Sequence, residues 1–563
     1  MGGATEGIEE LPCGSIDDLA RPEGHPHDPD ASPRLVVEHV QTHISHVFLT
    51  PCRVYKLRKA VEPGFIRFGT RAERAADCMR EVHLNQRLAP DVYLGVAPVE
   101  RCDRGFVIGP LGSALDPSAP EHCVVMRRLP EGRNLRSLLE QGRVDASQVA
   151  AVAECVAHFH DRVGLGVPAP FPAGIWLDRI WAPVEESIAA ILASASSGPA
   201  GDALRARAEE VFRAHAPAFE VRRVEGRAVD GHGDLHLEHV WLERDGARPI
   251  FVDCLEFSDE LRHIDAAADV AFLAMDLCYR GREDLAWLFL SSYAELRDDY
   301  GLYSVVNFFM SYRAAVRAKV AALSQADPEM SSAQREAARG HLARHVALSL
   351  RFLEPPPAPV LLAMVGGVGS GKTTVARRMA QLLGAVHLRS DHLRGQIEDP
   401  SHDRYGGEQK RRVYAGLRAR AATALSAGRP VVLDATFGAR DERASAAQLA
   451  REQGVPFYLV EVRCDLEVAR ARLAQRAREG RDLSEAGPER LERSLRELAP
   501  IAPDETALRL AVDTTGDPGP EVLRALMARS TTLAVLLDRV AAPAETHASA
   551  TARAAPLEPA ADS

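Results

Sequence analysis

Eight residues constrain this chain more than any others: Gly366-Gly367-Val368-Gly369-Ser370-Gly371-Lys372-Thr373. They satisfy GxxxxGK[ST], they follow an apolar run at 360–365, and they precede a stretch of helical pattern at 374–383. Strand, glycine turn and helix in that order wrap backbone N–H groups around a phosphate, with the positive end of the helix behind it. In such a cradle Lys372 reaches the β and γ oxygens and the Thr373 hydroxyl coordinates magnesium. Residues Gly366, Gly367, Val368, Gly369, Ser370, Gly371, Lys372, Thr373 and Thr374 are therefore the expected contacts of a nucleotide.

Composition sharpens the lysine. Of 68 basic residues only Lys56, Lys59, Lys319, Lys372 and Lys410 are lysine. Where an ammonium survives against such a bias toward arginine, a chemical reason is favoured, because it fits between phosphate oxygens where a guanidinium fork does not. Lys56 and Lys372 stand out on that ground.

Apolar runs at 360–365, 386–390, 431–435, 457–462 and 508–512 alternate with amphipathic stretches, which predicts a parallel α/β sheet over 360–540. After the second run come Ser390-Asp391-His392-Leu393-Arg394. An aspartate at a strand's C-terminal edge can take a proton from an acceptor hydroxyl, and an arginine three residues on can clamp an anionic acceptor. Asp391 is the candidate base and Arg394 a substrate residue, with a helix-capping role for Asp391 as the alternative. Asp434 ends a further apolar run, as a magnesium-ordering aspartate would, the alternative being an ordinary turn residue. Arg470, Arg472, Arg476, Arg478 and Arg481 crowd one later stretch, as either a lid over phosphates, with Arg472 and Arg476 toward the substrate, or a solvated helix face.

These residues, over about 360–515, resemble the small P-loop kinases grouped around nucleoside monophosphate, gluconate and shikimate kinases, zeta toxin and the kinase domain of polynucleotide kinase. The Asp391-x-x-Arg394 spacing is most similar to the last. The resemblance implies that Asp391 is the base and that Arg394 holds the acceptor's phosphate.

A second constellation precedes it. Asp230-Gly231-His232-Gly233-Asp234-Leu235-His236-Leu237-Glu238-His239 leads into the apolar run 249–252 and then Asp253. Asp234 is placed to accept an acceptor's proton, and Asp253, fixed by its run, to hold magnesium on ATP phosphates. Upstream, Arg53-Val54-Tyr55-Lys56 is an extended run, and Thr70-Arg71-Ala72-Glu73 is a capping box opening a helix to about residue 88, with Glu81 midway. A Lys56–Glu81 ion pair would orient the ammonium on the α- and β-phosphates, with Lys59 in reserve. A metalloenzyme alternative pairs His232 with His236 at helical spacing, although Gly233 between them weakens a helix.

These strings resemble the aminoglycoside phosphotransferase and choline kinase branch of the protein-kinase-like fold over 43–290, whose HGDxH loop is His232 to His236 here. The resemblance implies Asp234 as catalytic base, Asp253 as metal ligand, 125–129 near the adenine, and Asp265 and Asp269 on a supporting helix. It also exposes departures. The second metal ligand, an asparagine in the family, is His239 in this chain, which implies one metal, a softer metal such as manganese, or an impaired site. No glycine-rich loop precedes Lys56, so 42–49 would have to serve. Arg313, Arg317 and Lys319 either line an anionic pocket or form a solvated stripe.

At about 150 residues per domain, 563 residues imply two domains. Leu353-Glu354-Pro355-Pro356-Pro357-Ala358-Pro359 forbids helix and predicts a stiff linker at 353–359. Residues 1–33 and 541–563 have the composition of disordered ends. No apolar run approaches the roughly 18 residues of a membrane span, the start lacks export or anchoring signals, and nine cysteines without a CxxC pair predict reduced thiols in the cytoplasm. A net charge of −11 argues against a general nucleic-acid coat. The expectation is an α+β protein-kinase-like bilobal domain over 34–352, followed by an α/β P-loop NTPase domain over 360–540. Each would use ATP and Mg2+ to phosphorylate a hydroxyl of a small-molecule acceptor. The alternatives are a regulatory protein in which a degenerate kinase-like sensor governs a P-loop ATPase, and a polynucleotide 5′-hydroxyl kinase.

Overall fold

A computed structural model of the chain describes residues 8–61, 67–112, 114–194, 198–327, 330–356, 358–397, 407–479, 489–516, 519 and 522. They form two compact units, the described parts of Met1–Pro170 with Gly226–Asp269, and of Phe171–Glu225 with Val270–Thr551.

The first unit is built on an antiparallel sheet of β1 (Glu38–Gln41), β2 (Ser45–Leu49), β3 (Arg53–Arg58), β4 (Tyr93–Cys102), β5 (Gly105–Ile108) and β6 (Glu121–Arg127), in the order β1-β2-β3-β6-β4-β5. Alternation along β6 decides its two faces. Val124 points into a cluster with Cys78 and Val82 of the helix Arg71–Gln86, while Cys123 and Val125 join Phe48, Tyr55 and Leu57 on the other side. That helix opens at a capping box in which the Thr70 hydroxyl accepts from the Glu73 N–H at 3.2 Å and the Glu73 carboxylate accepts from the Thr70 N–H at 3.0 Å. Beyond the sheet, β7 (Ala228–Asp230) pairs with β10 (His263–Asp265), and β8 (Val240–Trp241) with β9 (Ile250–Phe251).

Within the segment expected to be disordered, residues 8–33 are part of this unit, with a helix at Ser15–Leu19. Leu19 is fully buried in the outer-face cluster, with Leu11, Ile16 and Ala20 packed against it. Asp28 accepts hydrogen bonds from Thr50 Oγ1 at 2.8 Å and Tyr55 OH at 2.9 Å. The sheet's outer face supplies the burial that the segment's sparse apolar residues cannot supply among themselves. The tail expected at 541–563 lies outside the described residues.

In the second unit, the helices Ala173–Ala193, Gly198–Val224, Glu283–Arg297, Val306–Ala326 and Ser332–Leu353 share one compact body with a parallel sheet. Its strands β11 (Leu361–Val365), β12 (Val386–Arg389), β13 (Val431–Asp434), β14 (Phe457–Arg463) and β15 (Arg509–Asp513) run in the order β12-β13-β11-β14-β15. All five residues of the central β11 are buried, as a strand covered on both faces requires.

The expected division at 353–359 is therefore not where contact density divides the chain. The helix Glu283–Arg297 covers the edge strand β12: the His387 N–H donates to Ser291 Oγ at 3.3 Å, satisfying a backbone donor that an open edge would leave unpaired. Arg429 lies over the Trp287 ring at 3.4 Å and donates to the Gly384 carbonyl at 3.1 Å. Arg420 makes two 2.6 Å bonds to the Asp298 carboxylate. Of the candidate anion-binding stripe, Arg313 is buried over the Phe272 ring and Lys319 pairs with Glu186 at 2.5 Å.

Candidate active sites

In the first unit, β3 carries Lys56 and the helix Arg71–Gln86 carries Glu81, and their side chains meet at 3.0 Å. Lys56 Nζ also lies 3.5 Å from Asp253 Oδ1. Burial alone would lower the ammonium's pKa, but Glu81 and then Asp253 outweigh it and hold it above its ordinary value. Lys59 stands at the strand's end, its backbone N–H donating to Ile44 O.

Sequence reasoning missed what holds this pair. Arg58, fully buried, bonds Glu81 at 2.5 Å, Asp77 at 2.6 Å and Glu256 at 2.7 Å. Lys56 and Arg58 are two apart on a strand, and Asp77 and Glu81 four apart on a helix, so each pair shares a face. That spacing was the available signal. Glu256 is drawn in by Arg58, while burial and the negative Glu81 beside it raise its carboxyl's pKa to about 7.

The loop after β7 is shaped by Asp269. Its Oδ2 accepts from the His232 N–H at 2.8 Å and from His160 Nε2 at 3.0 Å, and its Oδ1 accepts from the Gly233 N–H at 2.9 Å. Asp269 is thus a support of the loop from the helix Ala266–Tyr279, whereas Asp265, expected on the same helix, ends β10 and accepts from the Ala267 N–H at the start of that helix. His232 is consumed structurally, with Nε2 bonded to the Val252 carbonyl at 2.9 Å and Nδ1 accepting from the Asp234 N–H at 3.3 Å. It lies in a loop, so the helical His232–His236 metal pair does not form.

Asp234 is about one-third exposed, with His236 Nε2 and His239 Nδ1 at 3.6 and 3.5 Å from its Oδ2. Burial would raise its carboxyl, but His236 first, then His239 and His232, keep it well below the usual carboxylate range. Asp253 is presented at φ 56°, with its N–H donating to Tyr93 OH at 3.0 Å. Asp234, His236 and His239 bring ligand atoms within 4.8 Å of one another. Of the residues expected near the adenine, Val125 lies in β6, buried on the outer-face side.

In the second unit the cradle runs from β11 to the helix Lys372–Leu383. Gly369 and Gly371 adopt φ 79° and 86°, a left-handed backbone that favours glycine. Lys372 Nζ donates to the Gly367 carbonyl at 2.7 Å, and Thr374 is exposed in the first helical turn. The buried Ser370 hydroxyl has no hydrogen-bond partner among the described residues, which suits a cradle completed by a polar ligand.

Asp434, at the end of β13, is nearly buried, and His387 Nε2 reaches its Oδ2 at 3.1 Å. Burial would raise this carboxyl, but the His387 hydrogen bond, Lys372 and the Thr373 hydroxyl hold it below its ordinary value. Thr373 and Asp434 thus offer the hard oxygen donors that magnesium requires. His387 has no counterpart in the sequence expectations.

Asp391, in the helix Ser390–Gln396, bonds Arg394 Nη1 at 2.7 Å, so the candidate base and anion clamp are paired to each other. Arg472 donates to the Thr514 carbonyl at 2.6 Å and lies beside Gly371, whose added Cβ would come 3.5 Å from Nη1. The Arg476 side chain and all of Arg481 lie outside the described residues. The helix Glu489–Arg496 covers the cradle's outer turn: the Val368 N–H donates to Ser494 Oγ at 3.0 Å, and a Cβ on Gly367 would come 2.9 Å from Leu495 Cδ2.

A lysine–glutamate pair beside two carboxylates on an antiparallel sheet, and a glycine cradle with its aspartate on a parallel P-loop sheet, define two candidate phosphate-handling sites. The AAA domain family (AAA_33) matches residues 361–501. Two mycobacterial proteins, "Uncharacterized protein Rv2004c" of Mycobacterium tuberculosis (strain ATCC 25618 / H37Rv) and "Uncharacterized protein Mb2027c" of Mycobacterium bovis, are each 34% identical over 446 residues, 76% of this chain and 83% of theirs. The chain belongs to their family. Among solved structures, a choline/ethanolamine kinase family protein from Mesorhizobium loti matches at 15% identity and a TM-score of 0.35, over 59% of this chain and 99% of its own. A gluconokinase from Sinorhizobium meliloti 1021 matches at 20% identity and a TM-score of 0.23, over 34% of this chain and 99% of its own.

Proposed function

We propose that the chain is a bifunctional phosphotransferase, each unit transferring the γ-phosphoryl group of ATP to a hydroxyl of its own small-molecule acceptor. The observation that carries this is a duplicated one. In each unit a lysine ammonium acts on a metal-type carboxylate of a separate element: Lys56 lies 3.5 Å from Asp253, and the charge of Lys372 helps to hold the Asp434 carboxyl below its ordinary value. In the first unit Lys56, steadied by Glu81, would engage the α- and β-phosphates while Asp234 takes the acceptor's proton. In the second, the glycine cradle and Lys372 would hold the phosphates, Asp391 would take the proton, and Arg394 would leave Asp391 for an anionic group on the acceptor. Arg472, and on its sequence position Arg476, would face the transferring group. Magnesium, when bound with the nucleotide, would neutralise and orient the β- and γ-phosphates, through Thr373 and Asp434 in the second unit and through Asp253, with His239 beside it, in the first. All nine cysteines are free thiols, which supports a reducing cytoplasmic setting.

The test is mass spectrometry of a bacterial polar-metabolite extract incubated with Mg-ATP and the full chain, comparing wild type with Asp234→Asn and Asp391→Asn. Each variant is expected to lose a different set of phosphorylated products by on the order of a hundredfold. ATP consumption with no phosphorylated small molecule would overturn the proposal. His239 favours a second reading, a kinase-like sensor governing the P-loop site, which predicts ATP binding without turnover that depends on Asp234.

A further inference from the structure

The donors around Asp253 include an imidazole, which favours transition ions over magnesium. His239 Nδ1 is 2.9 Å from the main-chain carbonyl of Asp234. A carbonyl only accepts, so Nδ1 carries the ring proton and the lone pair is on Nε2. Nε2 points toward Asp253, 3.9 Å from Oδ2. That gap is too long for a hydrogen bond, yet short enough for both donors to reach one shared ion at about 2.1 Å each, with a small inward turn of either side chain. An imidazole anchored through Nδ1–H to a backbone carbonyl, with Nε2 directed outward, has the ring orientation and tautomer that metal-binding histidines use.

The neighbouring groups leave this pair as the donor set. His236 Nδ1 accepts from the Glu238 N–H at 3.3 Å, and its Nε2 faces Asp234 at 3.6 Å, so its ring serves the loop. Glu238 is paired with Arg136. Asp253 is held by its N–H bond to Tyr93 OH, and Lys56 lies toward its other oxygen, leaving Oδ2 for the imidazole side. Magnesium takes oxygen donors and retains its waters, whereas imidazole nitrogen is a ligand of first-row transition ions.

We propose that the first unit takes a first-row transition cation, with manganese(II) as its representative, bound through His239 Nε2 and Asp253, and that this imidazole sets the site's preference over magnesium. The inference rests on the proposed nucleotide site of that unit, since Asp253 serves both.

The test is pulsed electron paramagnetic resonance of Mn2+ with a non-hydrolysable ATP analogue on the full chain. Lys372→Ala serves as background, to weaken the second unit's site. Nitrogen-14 coupling from a directly bound imidazole is expected, and its loss in His239→Asn and His239→Gln. Mn2+ affinity should fall about tenfold or more in both variants while Mg2+ affinity does not fall. Either variant, if folded by circular dichroism, suffices. Absence of nitrogen coupling while Asp253→Asn still abolishes Mn2+–nucleotide binding would overturn this inference and leave the nucleotide site standing. Binding indifferent to Asp253→Asn would overturn both.

Discussion

Asp269 shows how one buried carboxylate shapes a loop that other residues use. Three donors converge on it, and although burial would raise its carboxyl, the hydrogen bond and charge of His160 hold it well below the usual range. Its pKa falls on folding from about 3.9 in the open chain, so its stabilising contribution is complete above about pH 4 and is lost as pH falls toward the folded value. Asp269→Asn is expected to cost the first unit about 3 kcal/mol at pH 7 and to flatten the acid limb of its stability below pH 4. Urea midpoints at pH 7 and pH 3 measure both. At this scale the sequence was uneven. Asp234, Asp253, Lys56 and Glu81 could be picked out because each stands in a distinctive string. Arg58, which bonds Glu81, Asp77 and Glu256, is one of 63 arginines and is set apart only by its spacing from Lys56. His387 gives no sequence sign of its bond to Asp434, since β12 and β13 become neighbours only in the sheet.

Among the elements, the glycine cradle is the least tolerant. A Cβ at Gly369 would lie 3.0 Å from Leu473 Cγ and 3.1 Å from the Ala469 carbonyl, on a residue already at φ 79°. Gly369→Ala is expected to cost about 1–2 kcal/mol from the backbone conformation and to weaken nucleotide binding by the second unit. Thermal melts and calorimetric titration on the full chain check the two effects. Unchanged affinity would mean that this turn does not face the phosphates. The five parallel strands were legible to within a residue or two because β11, and β13 up to Asp434, are unbroken apolar runs and the other three keep apolar residues at alternate or successive positions between polar stretches. The helix Ser15–Leu19 was not, because its few apolar residues acquire meaning only against Phe48 and Tyr55. Burial there is set by partners distant in sequence, which no local pattern records.

At the scale of the whole molecule, the proline run is a punctuation of the chain and not of its packing. A protease site introduced at 354–359 is expected to cut cleanly yet leave fragments that co-elute on gel filtration. Trp287, Ser291 and Asp298 on one side remain bound to Arg429, His387 and Arg420 on the other. Arg429→Ala removes a desolvated cation–π contact worth about 2 kcal/mol and should promote separation of the cut pieces. Separation of the uncorrupted pair without denaturant would contradict the docking. The fold class was readable from motif order alone, whereas this sharing of helices with the P-loop sheet depends on tertiary contacts.

The covered edge of β12 also bears on inheritance. A recombination at the proline codons would divide the message where the chain looks most divisible, yet it would pass on a sheet whose border was fitted to a helix left behind. Any new host for that sheet would have to bring its own ring to the place of Trp287 and its own hydroxyl to the place of Ser291. The helices and the sheet of this unit are therefore not interchangeable cassettes, and variation on the helix Glu283–Arg297 is answerable to an edge strand whose His387 lies 96 residues beyond Ser291.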